Sequence, residues 1–170
     1  MKMNVGLLIA RVVLGSLMAA HGAQKVFGWF GGHGIAGTGG FFESLGFRPG
    51  KVFAAVAGLT ELGSGVLVAL GLLGPLGSAG IVAVMIVAAG SVHVKNGVFA
   101  MSNGIELPLL YATGAVALAL TGPGAYSLDR LLGLTATWTP ALRAGALGLG
   151  IVGGVFNLVL RRPAAPAPAA

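Results

Sequence analysis

Long apolar runs alternate along the chain with short polar or glycine-rich connections. The first run, Asn4 to Phe27, reads NVGLLIARVVLGSLMAAHGAQKVF. It is long enough to cross a hydrocarbon core, which takes ~20 predominantly apolar residues in a helix. A second run, Val52 to Leu73, is interrupted only by Thr60, Glu61 and Ser64 and stops at Gly74-Pro75, a helix-ending pair. The short turn there sends a third run, Gly77 to Val94, back antiparallel. A fourth extends from about Gly104 to Leu120 and opens with Glu106 and Pro108, proline being tolerated in a first helical turn. A fifth, Trp138 to Leu160, closes on Arg161-Arg162.

Between the first two runs, Gly28 to Gly40 is too glycine-rich to hold a helix and predicts a loop. The segment Phe41 to Phe47 then places aromatics at headgroup depth, or folds as a lid over a site between helices. The tail Pro163 to Ala170 predicts a disordered or extended segment. The expectation is an all-α, polytopic transmembrane helix bundle, with four helices in 1–130, an additional transmembrane helix in 131–162 and a tail over 163–170.

Composition sharpens this picture. Of 170 residues 56% are apolar and 8% charged, against about a quarter charged in soluble domains. Mean hydropathy is +0.94, which together with those shares marks an integral membrane protein. The 31 glycines fit, because small residues let membrane helices approach closely. A net charge of +6 does not indicate nucleic acid, since the ten basic residues are spread over several loops and form no patch. Loops facing anionic lipid account for them better. Without cysteine, thiol relays and cysteine-ligated clusters are excluded. A cleaved signal peptide is the rival reading of the N-terminus, and Arg11, in the middle of its apolar stretch, argues against it.

Lys25, Arg48, Lys51, Lys95, Arg161 and Arg162 fall on one side of a five-span topology, and Lys2, Arg130 and Arg143 on the other. The positive-inside rule puts the first group, and the C-terminus, in the cytoplasm.

The chemistry lies in the charges within the apolar runs. An arginine inside a span costs at least ~2.5 kcal/mol unless it is compensated. Only four acids exist, Glu43, Glu61, Glu106 and Asp129. With ~1.5 Å of rise per residue, Arg11 lies about 9 Å below its own surface and Glu61 about 15 Å in from the opposite one. Arginine's length could bridge that gap, so Arg11 and Glu61 are expected to form a buried charge pair, either fixing helix register or serving chemistry. A second group, His21, Lys25, His93 and Glu106, collects at one membrane face, open to the loop bearing Glu43. A histidine, a lysine and a carboxylate there can hydrogen-bond and protonate a quinone ring whose tail lies in lipid, and can equally do no more than snorkel.

Other motifs carry less. Gly148-x-Gly150-x-x-Gly153 matches a dinucleotide fingerprint in letters, but it lies inside an apolar helix with no strand before it, so packing is the reading. Gly150-x-x-x-Gly154 offers a close-packing face within the bundle or toward a second copy. No metal-ligand spacing occurs. His21 and His93 as axial ligands of a b-type haem match in depth and are the less favoured cofactor reading.

Taken together, Arg11, His21-Gly22-x-x-Lys25, Phe42-Glu43-x-Leu45-Gly46, Glu61-Leu62-x-x-Gly65, Gly71-Leu72-Leu73, His93, Glu106-Leu107-Pro108-Leu109 and Gly122-Pro123-Gly124-x-Tyr126-Ser127-Leu128-Asp129 resemble the DoxX family of small bacterial membrane proteins, from about Leu7 to Asp129. The resemblance implies a four-helix membrane bundle in the bacterial inner membrane. It also implies kinship with a thiosulfate:quinone oxidoreductase subunit and with members linked to sulfur-redox and superoxide-detoxifying partners. The fifth run goes beyond that four-helix core.

Two functions are expected. In the first, the chain is a quinone-interacting subunit of a redox or oxidative-stress complex, with His21, Lys25 and Glu106 as catalytic residues and Glu43, His93 and Asp129 as secondary candidates. It has no evident electron carrier, so a soluble partner or the substrate must deliver electrons. In the second, it is a non-enzymatic scaffold docking soluble redox enzymes through basic loops.

Overall fold

The computed structural model describes residues 2–162. Among them seven α-helices form: α1 (Lys2–Phe27), α2 (Gly34–Ser44), α3 (Gly50–Leu70), α4 (Leu76–Ala88), α5 (Glu106–Thr121), α6 (Leu128–Leu131) and α7 (Pro140–Val159). A π-helical turn, Ala89–His93, and a 3-10 turn, Val94–Asn96, continue α4 without a break. The helix α1, the helix α3, the extended α4 and the helix α7 are each long and apolar enough to cross a membrane. At 16 residues α5 rises only about 24 Å, short of a ~30 Å hydrocarbon core. The protein is an all-helical, polytopic membrane bundle, as the hydropathy pattern predicts, and the additional helix α7 packs on α4 and α5. The expected tail, 163–170, lies outside the described residues.

The tightest contact is α1 against α3, and glycines spaced seven apart make it. A Cβ at Gly15 or Gly22 would strike the backbone of α3 at Gly65 and Ala69, or at Gly58 and Leu62. A Cβ at Gly65 would strike the backbone of α1 at Gly15 and Ala19. A heptad step of 3.5 residues per turn keeps these glycines on one facing stripe. Backbones therefore meet directly, and every residue on the two helices is held in one antiparallel register. The central apolar cluster sits beside this seam, with Met18, Val68, Ile81, Val82, Met85, Ala115, Ala119 and Leu147 from five helices.

Small residues also seat α7. Gly150 and Gly154 face the backbone of α4 at Ala79 and Ala83, and no room for a side chain remains. The close-packing face of α7 thus lies against α4 within the chain.

One expectation is corrected. The glycine-rich stretch after α1 does hold a helix, α2, from Gly34. Glycine costs about 1 kcal/mol per helical position, and close packing offsets that here. Gly39 abuts Lys51 and Gly50, while Phe42 is buried in a second cluster with Phe47 and Ala54. The C-terminal end of α7 closes over the same region: Arg161 Nε donates to the Leu45 carbonyl and the Arg162 N–H to the Gly46 carbonyl. The α2 end of the bundle is consequently a roofed structure and not a set of free loops.

If the glycine seam sets the fold, Gly22→Ala forces α1 and α3 apart and lowers stability by about 1–3 kcal/mol, the usual cost of overpacking. Gly63→Ala on α3, where an added Cβ meets nothing within 4 Å, should leave the detergent melting temperature unchanged or raise it. Thermal unfolding of the two variants side by side checks this.

Candidate functional site

The register set by the glycine seam brings Lys25, in the last turn of α1, to Glu61, in the middle of α3. Lys25 Nζ lies 2.5 Å from Glu61 Oε2, and it is the one salt bridge among the described residues. The Glu61 side chain is 7% exposed and that of Lys25 26%, so the pair lies at the edge of the protein interior. Each charge makes the other tolerable in an apolar surrounding.

This is not the pairing expected from depth. Arg11 and Glu61 do not meet: Arg11 Nη1 instead donates to the Ala69 carbonyl at 3.1 Å, in the last turn of α3. Two physical reasons account for the correction. In the register above, residue 61 of α3 faces the region of residue 21 of α1, so Arg11 is offset from Glu61 by roughly ten residues, or about 15 Å. Helical side chains also lean toward their own N-terminus, which carries the guanidinium toward the membrane surface and away from the midplane. There it meets the carbonyl end of α3, where a helix favours cations.

Beside the ion pair lies a cavity of about 380 Å³. Its walls are mostly apolar and aromatic, with Phe41, Phe42 and Phe47 from α2 and the loop behind it, Phe53 and Ala57 from α3, and Val84, Val87 and Ala88 from α4. A few polar groups interrupt them: Lys25, Thr60, Glu61, Ser91, His93, Asn103 and Asn157. The π-helical turn contributes Ser91 and His93, as such bulges often do at functional sites. Ser91 Oγ donates to the Val87 carbonyl at 2.6 Å. His93 Nδ1 lies 2.8 Å from the Asn103 carbonyl, an acceptor only, so Nδ1 carries a proton and Nε2 is left for another partner. Asn157 Nδ2 donates to the Gly153 carbonyl at 2.9 Å and keeps its amide oxygen free. A mostly apolar hollow with a few convergent polar groups is the usual form of a small-molecule site.

Of the expected cluster, Lys25 and His93 line this cavity and His21 and Glu106 do not. His21 is exposed, its Nδ1 3.2 Å from Gln24 Oε1 and its ring edge-on to Tyr111, 5.9 Å between centroids. It therefore shares no site with His93. Glu106 Oε2 accepts the Ala100 N–H at 2.7 Å and so ties down the loop before its own helix. Glu43 Oε1 accepts the Gly50 N–H at 3.1 Å, capping the positive end of α3. Asp129 is fully buried at the opposite end, where its two oxygens accept the Leu73 and Gly74 N–H groups at 2.8 and 2.6 Å. It clamps the α3–α4 turn, in which Gly71, Leu73 and Gly74 all adopt positive φ. Ser91 and Asn157 lie inside the third and fifth apolar runs and Asn103 just before the fourth, as isolated polar residues that no motif singles out. The heptad-spaced glycines were the available signal for the Lys25–Glu61 pairing.

Comparison with known proteins gives a consistent picture. A family model described as DoxX matches residues 6–94, which include Lys25, Glu61, Ser91 and His93. The Inner membrane protein YqjF of Escherichia coli (strain K12) is 32% identical over 134 residues, covering 76% of this chain and 93% of that protein. No solved structure matches.

The geometry predicts how charge removal couples. Lys25→Met or Glu61→Gln alone leaves a charge without its partner and should cost up to about 3 kcal/mol, discounted for the partial exposure of Lys25. The Lys25→Met, Glu61→Gln double variant should melt above the less stable single. Arg11→Met combined with Glu61→Gln should show simple additivity in the same double-mutant cycle, because those residues do not touch.

Proposed function

The chain belongs to the DoxX family, and on that premise we propose that it is a quinone-interacting subunit of a redox complex, with the quinone ring held in the cavity beside Lys25 and Glu61. The observation that carries this reading is the combination in one hollow of an aromatic wall, a partly buried ion pair and a histidine with a free Nε2. A quinone ring is flat and apolar, with an acceptor oxygen at each end. Phe42, Phe47 and Phe53 suit its faces. Lys25 Nζ, with donors beyond the one held by Glu61, suits one carbonyl oxygen, and His93 suits the other when its ring is protonated at Nε2 as well as Nδ1.

Reduction of a quinone adds two electrons and two protons, converting both carbonyls to hydroxyls. In this reading the protons come from the Lys25 ammonium and the His93 imidazolium, and the electrons from a soluble partner. Arg48, Lys51, Lys95 and Arg162 are exposed at the same end of the bundle. By the positive-inside rule that end, including Arg162, is cytoplasmic, and likeness to the Inner membrane protein YqjF supports the bacterial inner membrane as the location. The same exposed cations favour a second reading, a scaffold that docks acidic redox enzymes without itself taking part in the chemistry.

Titration of reconstituted protein with a short-chain quinone analogue separates the two. Quinone binding predicts that Lys25→Met and His93→Gln each weaken affinity by roughly tenfold or more, the loss of one charge-assisted hydrogen bond. Filling the hollow with Ala88→Phe should abolish binding, and His21→Gln should leave it intact. Absence of binding by the parent protein, with salt-sensitive co-purification of a soluble enzyme, selects the scaffold.

A further inference from the structure

The opposite end of the bundle holds a cation that nothing among the described residues neutralises. Arg11 is 2% exposed, and its Nε is buried without a hydrogen-bond partner. Its one side-chain hydrogen bond goes to a neutral carbonyl, that of Ala69. None of the four carboxylates serves it: Glu61 is taken by Lys25, Asp129 spends both oxygens on backbone N–H groups, and Glu43 and Glu106 lie at the α2 end. A second cation, Arg130, lines the same hollow as Arg11, together with Tyr126, Ser127, Leu70 and Leu131. Two guanidiniums facing one hollow with no acid repel each other, and a buried one without a counter-charge is costly in a membrane.

We infer that this hollow binds the phosphate of an anionic phospholipid. The guanidinium fork matches phosphate oxygens in geometry and charge. The hydroxyl of Tyr126, half exposed, supplies a further donor. What favours a lipid over a free anion is the apolar rim. Leu70 is 45% and Leu131 79% exposed beside the cations, and α1 and α3, which carry Leu8 and Leu70 to the hollow, run on into the bilayer as a track for an acyl chain. Basic pockets between membrane helices hold anionic headgroups at the cytoplasmic face, and the same pairing of guanidinium with phosphate operates at this opposite end. The bound lipid would complete the compensation of Arg11 that the protein leaves unfinished, and it would sit at the far end from the quinone cavity. The two assignments therefore stand or fall separately.

Native mass spectrometry and melting curves of the full chain test the assignment, with phosphatidylglycerol, phosphatidylcholine and inorganic phosphate as probes. Phosphatidylglycerol should be retained at least tenfold more strongly than phosphatidylcholine and should raise the melting temperature. Arg130→Gln, which alters an exposed side chain, should remove that preference, and Arg11→Lys should weaken it. Arg48→Gln, at the other end, should not affect it. Equal retention of the two lipids, or an equal loss of preference in Arg48→Gln and Arg130→Gln, would overturn the site. Stabilisation by inorganic phosphate matching that by phosphatidylglycerol, and lost in Arg130→Gln, would overturn the lipid in favour of a free anion.

Discussion

Direct backbone contact between α1 and α3 is the constraint on which the remaining structure depends. In lipid the hydrophobic effect does not press helices together, so close packing of small residues must do much of that work. Gly15, Gly22, Gly58 and Gly65 permit it, and no larger residue could stand at Gly15, Gly22 or Gly65 without moving a helix. Once the two helices touch, their register follows. It places Lys25 on Glu61, seats Met18 in the core, and leaves Arg11 at the carbonyl end of α3.

The charged residues divide by what they compensate. Three of the four carboxylates accept backbone N–H groups, Glu43 at the start of α3, Glu106 in the loop before α5 and Asp129 at the α3–α4 turn. Arg11, Arg143 and Arg161 serve the complementary purpose, donating to carbonyls at helix ends and loops. Each satisfies polar backbone that would be expensive to leave open near lipid. Glu61 alone meets a cation, and it is also the carboxylate that lines the cavity. A charge not consumed by backbone is one free to act on a ligand, which makes Lys25 and Glu61 the centre of the candidate site.

The cavity itself is a product of several elements that are distant in sequence. Helix α2 supplies the aromatic roof, the π-helical turn supplies Ser91 and His93, and α7 supplies Asn157. The hydrogen bonds from Arg161 and Arg162 to Leu45 and Gly46 hold the end of α7 against the chain behind α2. The helix beyond the four-helix core thus contributes to the wall of the site as well as to the bundle.

The sequence by itself determined the membrane class, the helical bundle, the approximate ends of each apolar run and the family resemblance. Hydropathy over ~20 residues depends on composition and not on partners, so these were legible. Lys25 and His93 were also legible as polar residues at one membrane face. Which cation meets Glu61 was not. Depth along a helix orders residues along the membrane normal, but pairing also needs the angular face and the interhelical register, and only the packed glycines decide those. Nor could the fold of α2 be read locally, because the burial of Phe42 and the fit of Gly39 and Gly50 offset a propensity that argues against helix. The roles of Glu106, Glu43 and Asp129 were hidden for a related reason. A carboxylate reads alike in sequence whether it faces a substrate or a backbone N–H, and the tertiary structure alone brings that N–H within 3 Å or so.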